Sequence, residues 1–205
     1  MTQDVGAKAR DYERRLVTRA CACDALAVRE LVDLHKDRLF AFIWRMVRNH
    51  HDAEEICQDA FLKAFASLDS FSVEYRFSTW LFTIGYRICL NRLRRNRTRP
   101  STVDLAAVSV ADETAEAWSL ESADAAQLKE AVWQAVDQLT PPQRAAILLF
   151  YRQELCCHEI ARILEVPVAT VKSHLHRART RLRKTLEQLS DQELRLFRNL
   201  PERAG

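Results

Sequence analysis

The sequence predicts an all-α fold: two small helical domains joined by a flexible acidic linker, the second domain a four-helix unit carrying a helix-turn-helix. Three observations predict it. Only three glycines and five prolines occur in 205 residues, whereas sheet proteins need turn residues at frequent intervals. Apolar residues recur at steps of three and four in both halves, the period of a helix with one buried side. Charge changes sign along the chain: residues 1–97 carry 17 basic and 13 acidic side chains, residues 98–126 one and six, and residues 127–205 thirteen and nine. Two basic modules therefore flank an acidic joint, and 48% hydrophobic content is ample for two small helical cores.

In the first module (1–97), Leu31, Leu34, Leu39, Phe42, Ile43, Met46 and Val47 give one long helix. "DAEEICQDAFLKAFASL" gives a second, whose buried side is Ile56, Cys57, Ala60, Phe61, Ala64 and Phe65. Its outer side is acidic. Glu55 and Asp59 form an i,i+4 like-charge pair, which costs a few tenths of a kcal/mol in an isolated helix. The helix macrodipole accounts for Asp52 to Glu55 near the helix start. Asp59 lies a full turn further on, and a basic protein partner accounts for the whole patch.

The next stretch, "FSVEYRFSTWLFTIGYRICLNRLRRNRTR", interleaves aromatics with arginines. Trp80, Leu81, Ile84 and Ile88 form a packing row by their spacing. Phe71 to Phe77 fall in a loop before that helix, where aromatics and Arg76 together offer a platform for unpaired bases.

The joint, residues 98–126, is rich in Ser, Thr, Ala and acids and lacks a sustained apolar period, as a linker does. In the second module (127–189), Leu128, Val132, Val136 and Leu139 keep helical period. "TPPQ" then supplies Thr140 as N-cap, Pro141 in the first turn and Gln143 at the capping-box position. Ile160, Ala161, Ile163 and Leu164 give a short helix that Glu165-Val166-Pro167 breaks. Beyond it, "VATVKSHLHRARTRLRKTL" holds six Lys or Arg, two His and no carboxylate. Val171, Leu175, Ala178, Leu182 and Leu186 are its apolar stripe, and the opposite face is positive. A short helix, a three-residue turn and a basic second helix make a helix-turn-helix, whose second helix enters the DNA major groove. The tail, 190–205, is mixed in charge and weakly periodic.

No signal peptide opens the chain and no apolar run approaches the ~20 residues of a membrane span. The expected location is cytoplasmic, without membrane insertion. Of the six cysteines, Cys21/Cys23 and Cys156/Cys157 are spaced C-x-C and C-C, and Cys57 and Cys89 stand alone. None makes a C-x-x-C pair, so no metal site and no cofactor are expected, and the thiols are expected to be mostly buried apolar groups. A redox or metal role for Cys156, Cys157 and His158 is the minor alternative. His50-His51 reads as an exposed turn between helices.

Three stretches, "DAEEICQDAFLKAF", "RFSTWLFTIGYRICLNRLRR" and "LTPPQRAAILLFYRQELCCHEIARILEVPVATVKSHLHRARTRL", resemble the conserved regions two and four of extracytoplasmic-function (ECF) sigma factors. The resemblance covers roughly residues 25–97 and 127–186, in family order. It implies a protein that binds core RNA polymerase and directs promoter-specific initiation, with an anti-sigma factor as its regulator. Asp52, Glu55, Gln58 and Asp59 would meet the clamp helices of the largest subunit, and the C-terminal unit would meet the flap. Arg76, Phe77, Trp80, Arg87, Asn91 and Arg94 would recognise and open the −10 element. Arg144, Lys172, Ser173, His174, His176, Arg177 and Arg179 would serve the −35 element, with Arg144 against the DNA backbone. The linker would thread toward the RNA exit path. The chain departs from the family pattern at Arg87, where Asn is usual, and at Asn91, where Asp is frequent. Glu165 and Ala169 stand where Gly is usual, and His174 replaces the usual Arg, so promoter preference is not carried over.

Two other classes compete. A helix-turn-helix repressor or activator would need a sensing or dimerising N-terminal half, and no dimer zipper is evident. An enzyme would need a phosphate loop, a nucleophile motif or metal-ligand spacing, and none occurs. The basic helix yields a prediction of its own. Lys172→Ala or Arg177→Ala should cost about 1–3 kcal/mol on the preferred site and relax base choice. Arg183→Ala or Lys184→Ala should weaken all sequences alike and lower the salt slope by about one unit per phosphate contact. Competition binding of a 127–189 fragment across randomised sites and several salt concentrations measures both; uniform losses with equal salt dependence would reduce the helix to an electrostatic grip.

Overall fold

The computed structural model describes residues 2–72, 75–98 and 123–186. Among them there is no strand: the chain forms α1 (Thr2–Cys21), α2 (Ala25–Val47), α3 (His50–Ala66), α4 (Phe77–Thr98), α5 (Ala123–Asp137), α6 (Pro141–Ile147), α7 (Cys157–Leu164) and α8 (Val168–Leu186). The linker expected as flexible falls, but for its ends, outside the described residues, as do the tail and the side chains of Leu128 and Leu186.

The first unit packs α1, α3 and α4 around α2. Asp24 caps α2 by accepting from the Leu26 and Ala27 N–H groups, and Asn49 caps α3 by accepting from Asp52 N–H, each satisfying donors that the first helical turn leaves unpaired. The buried row of α2 runs Leu31, His35, Leu39, Phe42, Ile43 and Met46. Leu34, expected inside, is 45% exposed, and His35 takes its place at 7%. The reason is a partner on α1: Glu13, itself buried, lies 3.0 Å from His35 Nε2. The same Glu13 oxygen accepts from Ser78 N–H in the first turn of α4, so one carboxylate ties three helices together.

The packing row of α4 also differs from the expected one. Phe77, Leu81, Phe82, Gly85, Tyr86 and Cys89 are its buried side, whereas Trp80, Ile84 and Ile88 are half-buried. Gly85 sits at a close approach of α4 to α2: a Cβ there would lie 3.1 Å from Leu39 Cδ1 and 3.6 Å from Ile43 Cδ1. Cys57 and Cys89 are buried and burial pushes their thiols up to about 11 and about 12. The other cysteines do not follow the expectation of burial: Cys21, Cys23 and Cys156 are exposed and Cys157 is half-buried.

In the second unit Gln143 accepts from Thr140 N–H at 3.4 Å, completing the helix start that "TPPQ" signals. The helix does not simply stop at Ile147. Leu148–Arg152 widens into a π-type turn, with Gln153 N–H donating to Leu148 C=O five residues back, which aims Gln153 inward. After α7 the turn Glu165-Val166-Pro167 leads into α8, and Val171, Leu175 and Ala178 are buried against α6 and α5. The predicted stripe is buried at Val171, Leu175 and Ala178 and half-buried at Leu182.

Two helix C-caps are left-handed without being glycine: Arg48 ends α2 at φ 58° and Glu165 ends α7 at φ 57°. Such a conformation costs an L-residue roughly 1–2 kcal/mol that glycine does not incur. Overpacking gives the fold's own test. Gly85→Val should destabilise the chain by about 1–3 kcal/mol through Leu39 and Ile43, read as a melting temperature lowered by roughly 2–10 °C; an unchanged melt would show that the α2–α4 contact is looser than described.

Candidate nucleic-acid and polymerase interface

The outer face of α8 carries the positive charge. Lys172, His176, Arg177, Arg179, Arg183 and Lys184 are exposed, and Ser173 and His174 are half-buried. No carboxylate lies on α8, so nothing on the helix itself offsets its field. His174 is pushed below its ordinary pKa by burial and then by Arg177, so at neutral pH it is a hydrogen-bonding group more than a cation. Arg179 is partly engaged: its Nε donates to Tyr151 Oη at 2.9 Å and its guanidinium lies 5.3 Å from the Phe150 ring centroid.

The acidic face of α3 is real but partly answered from within. Arg92 of α4 donates to both Asp52 and Glu55, the latter at 2.6 Å, and His51 lies 3.6 Å from Glu55. The Arg92 hydrogen bond holds the Glu55 carboxyl below its ordinary range. Only part of the patch is therefore left without an internal cation: Gln58 and Asp59 are exposed, and Asp59 makes no ion pair among the described residues. Asn91 and Arg94 are exposed on α4.

Phe77 is a correction. Expected on a loop with its ring available to a base, it is the first residue of α4 and 1% exposed. His35, Phe65, Phe71 and Trp80 surround its ring at centroid distances of 5.6–6.2 Å, so no face is left for stacking. Of the expected aromatics Trp80 keeps an accessible side, being half-buried against Phe71 and Phe77.

Arg76, Arg87 and Arg144 are brought somewhere the sequence did not indicate: the contact between the two units. Arg87 makes a two-pronged ion pair with Glu165 in the helix-turn-helix turn, its Nε donating at 3.0 Å. Arg76 lies 3.6 Å from Glu159 of α7. α7 packs against α4, the helix that carries Arg87. Arg144 donates to Met46 C=O at 3.1 Å and to Asp137 C=O, closing the end of α2 onto α5. Around them, Arg38 donates to Gln153 Oε1 at 2.8 Å and to its C=O at 3.2 Å. Arg48 pairs with Asp137 at 3.1 Å, and Arg45 stacks 3.5 Å from the Trp133 centroid. Burial pushes the Arg38 and Arg144 guanidinium pKa values down.

Sequence reasoning missed this layer and the Glu13–His35–Ser78 junction. A signal existed for the second: Glu13 lies on the same helical face as Leu16, Val17 and Ala20, and His35 lies between Leu31 and Leu39, so each is a polar group on a buried stripe. Burial also pushes Glu13 up, but the neighbouring His35, the Ser78 N–H hydrogen bond and Arg76 outweigh it, leaving the carboxyl below its ordinary value.

The chain has two helical units, one with an acidic α3 and an arginine-rich α4 and one with a basic helix-turn-helix. The sigma-70 region 2 model matches residues 31–99 and the sigma-70 region 4 model residues 129–182. The chain is 34% identical to the ECF RNA polymerase sigma factor SigW of Bacillus subtilis, over 81% of this chain and 92% of that protein. It is similar to CnrH in complex with the cytosolic domain of CnrY, with a TM-score of 0.64, 26% identity and coverage of 87% and 99%. It is also similar to the sigma factor RpoE in complex with the anti-sigma factor NepR from Bartonella quintana, with a TM-score of 0.61, 29% identity and coverage of 79% and 98%.

The chain belongs to the ECF sigma factors. It is a transcription initiation factor that acts with core RNA polymerase at promoters, and not an enzyme.

Proposed function

We propose that residues 1–97 bind core polymerase and recognise and melt the −10 element, that 127–189 read the −35 element, and that the acidic 98–126 segment spans the path between them. Asp59, Gln58 and the outer edge of Glu55 meet the basic clamp helices, where electrostatic complementarity sets orientation and association rate. Trp80, Arg76, Arg87, Asn91 and Arg94 act on the −10 element, Trp80 supplying a ring for an unpaired base. Lys172, Ser173, His174, His176 and Arg177 reach base edges from the first turns of α8, and Arg144 and Arg179 contact the backbone. The protein works in the cytoplasm, and an anti-sigma factor regulates it; the similar sigma factor RpoE is seen in complex with the anti-sigma factor NepR.

The observation that carries this reading is α8: a helix with Val171, Leu175 and Ala178 buried and an opposite face of exposed cations without a carboxylate. No helix among the described residues is long and apolar enough to cross a membrane. A repressor would bind operators unaided, whereas a sigma subunit gives core polymerase a promoter. Core polymerase supplemented with the chain should start transcripts at a promoter that core alone ignores, and Asp59→Lys should weaken core binding roughly ten-fold or more, since like charges across an interface cost several kcal/mol, with unchanged helicity. Specific duplex binding with no core-dependent transcript would contradict the reading.

A further inference from the structure

The contact between the two units is built from charged groups at places where the backbone favours another residue. Arg48 and Glu165 both occupy left-handed C-cap positions, φ 58° and 57°, where glycine is the unstrained choice. Each reaches across to the other unit. Arg48 of the first pairs with Asp137 of the second, and Glu165 of the second pairs with Arg87 of the first.

The pairs are placed where a joint can open. The Arg87 and Glu165 side chains are 59% and 50% exposed, so salt and competing anions reach them. Their partners in the contact, Arg76 with Glu159 and Arg38 with Gln153, extend the same polar line along α4 and α2. Duplex phosphates and bases would compete for Arg87 and Arg76 directly.

We propose that the Arg87–Glu165 and Arg48–Asp137 pairs form an intrachain latch, which folds the helix-turn-helix unit onto the −10-reading side of α4 and is released when polymerase and promoter claim those surfaces. The latch rests on the assignment of Arg87 and Arg76 to the −10 element. In the free chain it keeps the two DNA-reading units from acting separately. It does so without a second protein, and an anti-sigma factor would act on an equilibrium already biased toward closure.

Single-molecule energy transfer on the full chain tests it, with dyes on Leu62→Cys of α3 and Thr180→Cys of α8 in a background where Cys21, Cys23, Cys156 and Cys157 are Ser. Both label sites are exposed. Glu165→Gly and Arg48→Gly remove the charges while relieving the left-handed caps, so local folding is favoured and any loss of closure is not a loss of structure. Each should shift the closed-to-open ratio about two- to five-fold toward open, the size expected of one exposed pair, and the two together should multiply. Arg87→Glu alone should open the chain, and Arg87→Glu with Glu165→Arg should close it again. Ratios that do not move with either glycine variant, or a swap that does not restore closure, would overturn the latch. Run-off transcription with core polymerase reports the underlying reading separately: a wild-type chain inert with core would overturn that reading, and the competition half of the latch with it, whatever the energy transfer shows.

Discussion

Helix α4 is the constraint on which the rest of the structure depends. One side, Phe77, Leu81, Phe82, Tyr86 and Cys89, is the core of the first unit. A second, through Arg92, holds the acidic start of α3. The third, marked by Arg76 and Arg87, meets α7 and its C-cap. A helix that fills a core, neutralises a neighbour and meets α7 has little surface left over, so under the proposed function the same arginines would serve a resting contact and a working one. Gly85 shows how tight the arrangement is, since even a methyl group there approaches Leu39 closely.

The energetics explain why such a contact is a joint and not a seam. Exposed ion pairs contribute about 0–1 kcal/mol each, and the αL caps at Arg48 and Glu165 cost a comparable amount. Buried polar groups behave differently. Gln153 is buried and Arg144 half-buried, and a buried donor or acceptor left without its partner costs about 1–3 kcal/mol. The contact is therefore specific, because its inner donors fit one set of carbonyls, and shallow, because its outer pairs are replaceable by solvent or phosphate. Deep apolar fusion of the two units would have made opening far more costly.

Much of this was legible in the sequence, and the parts that were not share a cause. Periodicity places α2, α3, α7 and α8 and their buried stripes because the hydrophobic effect acts on each helix locally. "TPPQ" and Glu165-Val166-Pro167 mark their boundaries through backbone chemistry alone. It fails at Leu34 and His35, where a buried His is stabilised by Glu13 from a helix twenty-two residues away, and at Phe77, whose surroundings come from α2, α3 and α4 together. The arginines at 76, 87 and 144 are the most instructive. Composition identifies them as cations available to a polyanion, and only tertiary structure shows which carboxylates and carbonyls hold them first.

Locking the contact shut tests the central claim, that promoter use requires the two units to part. Arg38→Cys and Gln153→Cys, at positions whose side chains meet across the contact outside the DNA-reading set, should be joined by a short bis-maleimide with a reducible disulfide in its spacer when Cys21, Cys23, Cys156 and Cys157 are replaced by Ser. The cross-linked chain should fail to direct core polymerase to its promoter, and reduction should restore initiation. Full activity from a completely cross-linked chain would contradict the account.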